Sequence, residues 1–194
     1  MTESYYYEQT FERKDISENK LTKGEYENCT FQHLSLAGVD LSEFFFIDCK
    51  FVDCDLSLTK LQKTVLRDVA FSDCKMLGLR FDECHQAGLS FRFQNCQLQH
   101  SVFYSCKIKK TIFRNSNLQE CDFSACELQN AVFEQCDLSG AVFENTNLIQ
   151  ADFSTAMHYS IDPENNKIKK ARFSVHGLAG LLSKYNIVID EKIV

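Results

Sequence analysis

From Cys29 to Phe153 a large apolar residue falls on nearly every fifth position. The clearest stretch runs Phe93, Leu98, Phe103, Ile108, Phe113, Leu118, Phe123, Leu128, Phe133, Leu138, Phe143, Leu148 and Phe153, thirteen consecutive matches. A period of five fits neither the 3.6-residue repeat of a helix nor the alternation of a flat strand. It predicts a backbone that turns by a fixed angle after each short unit and returns every fifth side chain to one interior. Fixed repetition of this kind marks a solenoid, in which each unit buries its apolar face only against its neighbours.

A second inward position lies two residues before each large one, because alternate residues of a short strand face the same way. All ten cysteines lie two residues before a position of the five-residue register: Cys29, Cys49, Cys54, Cys74, Cys84, Cys96, Cys106, Cys121, Cys126 and Cys136. They alternate there with Ala131, Ala141, Ala151, Ser101, Ser116, Thr111 and Thr146. A free cysteine is a small hydrophobe that buries readily, so the expected role is core filler. Spacings of five reflect the repeat, and no CxxC-type metal spacing occurs.

The rhythm breaks in four places. Residues 1–25 keep the beat at Phe11, Ile16 and Leu21, but their inward partners Gln9, Lys14 and Asn19 are polar, which predicts a terminal cap. Within 82–92 Gln86 stands where an apolar residue is due, and Phe91 and Phe93 are two apart, a register slip of two absorbed by a bulge. Residues 157–167 form an insertion around Pro163, after which Ile168 and Phe173 return in frame. In 174–194 the spacing of Val175, Leu178, Leu181, Leu182 and Tyr185 predicts an amphipathic helix over the open end of the core. A short strand at Ile187–Ile189 is expected after it.

Units such as CDFSA, AVFEQ, CDLSG, AVFEN, TNLIQ and ADFST match the consensus A(D/N)Lxx. Over about residues 26–173 the chain therefore resembles the pentapeptide-repeat family. That resemblance implies an all-β solenoid, a right-handed quadrilateral β-helix with four units per turn and a short C-terminal helix cap. Twenty residues per turn would stack Phe93, Phe113, Phe133, Phe153 and Phe173 in one column, with Phe103, Phe123 and Phe143 on the opposite wall. Length, the mid-chain interruption and the tail GLAGLLSKYNIVID give a partial similarity to the quinolone-resistance members of the Qnr and MfpA type. This similarity implies a dimeric rod that imitates DNA and binds DNA gyrase or topoisomerase IV. A long loop of the sort Qnr proteins use on gyrase is missing; residues 82–92 make a small one.

Composition narrows the function classes. Among the 194 residues no apolar run approaches a membrane span, and the polar opening MTESYYYEQTFERK lacks the pattern of a signal peptide, so a cytoplasmic protein is expected. No G-x-S-x-G or phosphate-binding loop is present, and His33, His85, His100, His158 and His176 are scattered. His85 and His158, in the slip and the insertion, are the better placed for local hydrogen bonds. With the interior filled by side chains, no catalytic, cofactor-binding or metal-binding residue is expected, and the chain is not read as an enzyme.

Charge is the remaining signal. Between Arg114 and Lys167 there is no Lys or Arg, but nine acids: Glu120, Asp122, Glu127, Glu134, Asp137, Glu144, Asp152, Asp162 and Glu164. Arg92, Lys107, Lys109, Lys110 and Arg114 precede this stretch, and Lys167, Lys169, Lys170 and Arg172 follow it. A solenoid converts sequence position into axial position, so these become bands. The acids Glu120, Asp122, Glu127, Glu134, Asp137, Glu144 and Asp152 are a candidate surface for a protein partner with a basic, DNA-binding groove, a type II topoisomerase by the resemblance. The competing reading is solubility, since these acids occupy outward positions on all four faces. The basic patches are too small for direct nucleic-acid binding. Val102, Ile112, Val132 and Val142 point outward and offer small apolar strips. Leu178, Leu181, Leu182 and Tyr185 are candidate contacts of a homodimer formed through the C-terminus. Two functions follow, a DNA-imitating rod or a scaffold for another protein.

Overall fold

The computed structural model describes residues 4–13 and 21–189, and over them the chain winds into a parallel solenoid. One wall is a four-stranded sheet of β1 (Ser4–Tyr7), β3 (Gly24–Glu27), β5 (Phe45–Ile47) and β7 (Val65–Arg67). The adjoining wall is a nine-stranded sheet of β2 (Thr10–Phe11), β4 (Thr30–Gln32), β6 (Lys50–Val52), β8 (Val69–Ser72), β9 (Phe91–Gln94), β10 (Ile112–Arg114), β11 (Val132–Glu134), β12 (Asp152–Phe153) and β13 (Arg172–Phe173). The other two walls are held by single parallel bridges such as Asn117↔Asp137 and Asp122↔Val142. The result is a right-handed quadrilateral β-helix. The beat position Ile16, with Lys14 and Asn19, lies outside the described residues.

Strands this short end at corners, and the corners explain the polar residues between apolar ones. Asp48, Asp53, Asp68, Asp73, Asn95 and Asn115 all take a positive φ there. Asn and Asp tolerate this left-handed conformation better than bulkier residues. Each corner N–H is still satisfied: that of Asp48 donates to the carbonyl of Arg67 one coil on, at 2.9 Å.

Stacked rings fill the interior. Phe113 and Phe133 lie 5.0 Å apart with nearly parallel planes, and Phe133 and Phe153 4.6 Å. The same column continues from Phe11 through Phe31, Phe51, Phe71 and Phe93 to Phe173. A second column, Phe81, Phe103, Phe123 and Phe143, meets the first edge to face, as where Phe113 and Phe123 sit 5.8 Å apart at 81°. Offset and edge-on contacts suit the ring quadrupoles and add to the burial energy of each ring. All ten cysteines are buried and unbridged between these columns.

The coil length is twenty residues except at one step. β8 pairs with β9 through Val69↔Phe91, an offset of twenty-two. The two additional residues bulge from the wall after β7. Gln86 is half-buried, with its Nε2 donating to the carbonyls of Phe81, Asp82 and Cys84, and Leu89 is buried beyond it. This bulge ends the four-stranded sheet, and below it the wall continues only as the bridges Lys107↔Glu127, Glu127↔Asn147 and Asn147↔Lys167.

At the far end, residues 157–167 complete a coil, with Tyr159 and Ile161 buried and Phe153 still in register with Phe173. The tail differs from the sequence expectation. Instead of one amphipathic helix it forms two 3-10 turns, Leu178–Leu181 and Ser183–Tyr185, and Ile187–Ile189 join no strand. Gly177 and Gly180 explain the short turns: glycine is a poor helix former, and both are pressed against Tyr159. The N–H of Ile161 donates to the carbonyl of Gly180 at 3.0 Å, which ties the tail across the last coil.

Candidate interaction surfaces

The rod turns residues twenty apart into neighbours, and this reorganises the acidic stretch. Arg114 Nε donates to Glu134 Oε2 at 2.8 Å, and Arg172 lies 3.1 Å from Asp152. Lys109 approaches Glu127 at 3.8 Å, His100 meets Glu120 at 3.1 Å, and His158 meets Asp137 at 3.0 Å. Lys and Arg of the flanking bands thus reach three of the seven candidate acids, and His100 and His158 contact two more. Among the described residues no ion pair involves Asp122 or Glu144, which share one wall on adjacent coils beside the corner that carries Glu120. The uncompensated charge is a patch on one wall and not a continuous band. Sequence reading missed this pairing, but adding twenty to Arg114, His100 or Asp152 finds it.

Asp137 is the most constrained of these acids. Partial burial raises its pKa, but donors from Ser139, His158 and Gln119 outweigh that and hold the carboxyl well below the usual range. Asp152 is likewise lowered: burial opposes ionisation, and Ser154 and Arg172 overcome it. These carboxylates are part of the fold's polar ladder. His85, by contrast, is exposed at the bulge and lines a shallow depression on the outer face of the four-stranded sheet.

The tail gathers several exposed apolar residues. Leu178 and Leu182 are 47% and 38% exposed, Tyr185 53%, and Val188 98%. Leu181 is different: it packs against the core. Polar contacts pin this surface in place, with Lys184 2.7 Å from Asp162 and Tyr185 donating to Glu164 at 3.0 Å. Of the four candidate dimer contacts, three therefore face outward and one inward. Ile112 and Val142 are exposed on different walls, Ile112 beside the half-buried Val132 of the next coil.

The interior offers little chemistry. Burial raises the thiols of Cys49, Cys121 and Cys136 to about 12, and Cys84 well above its ordinary value. A thiol held neutral is a poor nucleophile and a poor metal ligand. Cys96 departs in the other direction because the Cys74 thiol donates to it. Among the described residues, no three of His, Cys, Asp and Glu are grouped to hold a metal ion. No helix is long and apolar enough to cross a membrane, among the same residues.

A four-walled parallel solenoid with a Phe or Leu every fifth residue defines a pentapeptide-repeat architecture. The family model for the pentapeptide repeat region matches residues 20–101, 45–123 and 92–180, and the chain belongs to that family. No curated protein matches the sequence at a significant level. Several solved structures align with most of the chain. A trypsin-treated form of QnrB1, a plasmid-mediated fluoroquinolone resistance protein, is 19% identical over 96% of this chain and 97% of its own, with a TM-score of 0.45. HetL, involved in heterocyst differentiation regulation in the cyanobacterium Nostoc, is 13% identical over 80% of this chain and 90% of its own, with a TM-score of 0.42. Rfr23 from the cyanobacterium Cyanothece is 16% identical over 73% and 88%, with a TM-score of 0.29.

Proposed function

We propose that this protein is a non-catalytic, cytoplasmic binding rod that acts by occupying the surface of another protein. One observation carries this reading: the interior is a dry stack of rings, so recognition chemistry is confined to the outer walls. Ten unbridged thiols suit a reducing compartment. The rod works as a homodimer joined at the tail, because Leu178, Leu182 and Tyr185 leave an apolar surface at one end.

The preferred partner has a basic groove made for nucleic acid, and a type II topoisomerase is the first to test. In support stand Glu120, Asp122 and Glu144, clustered on one wall and, among the described residues, in no ion pair with Lys or Arg. DNA supercoiling by gyrase, followed with added protein in the presence and absence of a fluoroquinolone, tests this. Inhibition or protection at micromolar protein is expected; neither effect rejects the topoisomerase as partner. A scaffold for a different protein is the second reading. It is favoured by the compensation of Glu127, Glu134 and Asp152 by Lys109, Arg114 and Arg172, which lowers the rod's resemblance to a polyanion.

A further inference from the structure

The outer face of β5 and β7 carries the half-buried Phe45 and Ile47 beside the buried Val65. Phe45, Ile47 and Val65, with Arg67, line a shallow depression of about 630 Å³ that His85 of the bulge also borders. Along its edge runs one residue per coil in alternating charge: Lys23, Glu43, Lys63 and Glu83. Glu43 and Lys63 sit at left-handed corners, both exposed. Lys23 and Glu43 are ion-paired, and the N–H of Lys63 donates to the carbonyl of Glu83 at 2.8 Å, so the column is continuous.

We propose that this wall is a self-association surface on which a second copy of the chain docks antiparallel. A contact related by a two-fold axis must be complementary to itself. An axis along the strand direction, midway between β5 and β7, exchanges neighbouring coils. It sets Phe45 against Val65 of the second copy, Glu43 against Lys63, Lys23 against Glu83, and Glu25 against His85. Opposite charges meet at Glu43–Lys63 and at Lys23–Glu83, while in the centre Phe45 faces Val65 and Ile47 faces the side chain of Arg67. The tip of the bulge is Ala87–Gly88, small enough to pass over the partner's β3. At the far corner Asp48 meets Asp68, a like pair, with Lys50 and Arg92 lining the same groove to offset it.

The surface spans four coils, roughly 19 Å at the usual strand spacing. That is small beside the interfaces of stable complexes, so the association is weak, favoured by high local concentration and low salt. It lies at the opposite end of the rod from Leu178 and Leu182 and is independent of the tail contact. Both contacts together give particles larger than two chains.

Sedimentation velocity of the full chain at high micromolar concentration and low salt tests the proposal, using Glu43→Lys, Lys63→Glu and the double reversal. Each single reversal places like charges across the axis twice, and is expected to weaken association by about tenfold or more. The double reversal restores it, while melting temperatures of all three confirm folding. A mass unaffected by either single reversal, or not restored in the double, overturns the proposal; so does binding of a different protein here with no change in self-association. Leu182→Glu separates the two contacts. If it leaves the mass unchanged while the reversal pattern persists, the tail contact fails and this one stands.

Discussion

Arg114 Nε lies 2.8 Å from Glu134 Oε2 although twenty residues separate them in sequence. The pair joins the last residue of the basic band to the acidic one, and both side chains are more than a third exposed. Exposed pairs contribute little to stability, on the order of 0–1 kcal/mol. Arg114→Ala is therefore expected to leave the melting temperature almost unchanged while releasing one further carboxylate. If acidic charge recruits the partner, affinity for a basic groove rises, and the rise shrinks with added salt. Titration of a basic partner against both proteins at two salt concentrations is the measurement.

Adjacent residues on β10 should differ sharply in their contribution. Phe113 is fully buried between Phe93 and Phe133, and Ile112 faces out. Phe113→Ala is expected to cost about 3–5 kcal/mol by the usual penalty for emptying a core site. Ile112→Ala should stay within about 0.5 kcal/mol, as for other surface positions. Urea denaturation of the two variants provides the comparison, and similar losses would mean that the inward register is misassigned.

Phe113 also marks what the sequence makes legible. A ring every fifth residue states which side chains share an interior, because that interval is a property of the backbone turn. The pairing of Arg114 with Glu134 needs a second quantity, the coil length, and that length changes from twenty to twenty-two across the bulge, as Val69↔Phe91 shows. Charge read as linear bands therefore overstated the acidic surface. The tail misled for another reason. Val175, Leu178, Leu181 and Leu182 have helical spacing, but the contacts of Gly177 and Gly180 with Tyr159 fix short 3-10 turns. Nothing in the spacing of apolar residues records a contact between a glycine and a distant ring.

The buried thiols give a pH dependence with a definite sign. Burial raises Cys49, Cys121 and Cys136 from an ordinary value of about 9 to about 12. The folded state then holds protons that the unfolded state releases, so this stability is complete below about pH 9 and is lost as pH rises toward 12. Unfolding midpoints should fall progressively across that window. In parallel, a thiol reagent at neutral pH should find none of the ten cysteines in the native protein and all ten in guanidinium. Rapid labelling of the native chain would contradict the closed core.

Gly180 should tolerate no side chain. A Cβ there would lie 2.1 Å from the carbonyl oxygen of Tyr159, a backbone atom that cannot move aside cheaply. Gly180→Ala is expected to detach the two 3-10 turns while the coils above remain folded. Limited trypsin digestion would show it as faster cleavage after Lys184, with the far-ultraviolet spectrum nearly unchanged. An unaltered cleavage rate would indicate that the tail is held by Lys184 and Tyr185 on Asp162 and Glu164 alone.

Leu181 and Leu182 are neighbours with opposite assignments. Leu181 packs on the core, and Leu182 is 38% exposed beside Leu178 and Tyr185. If the tail joins two rods, Leu182→Glu places a carboxylate in the contact and should lower the sedimenting mass without lowering the melting temperature. Leu181→Ala should do the reverse, reducing stability by about 2–4 kcal/mol when fully packed and by less in proportion to its remaining exposure. Removal of residues 175–194 combines both effects and cannot separate them, which makes the pair of point variants the stronger test. Should Leu182→Glu keep the wild-type mass at every concentration, the apolar tail serves only to close the end of its own rod.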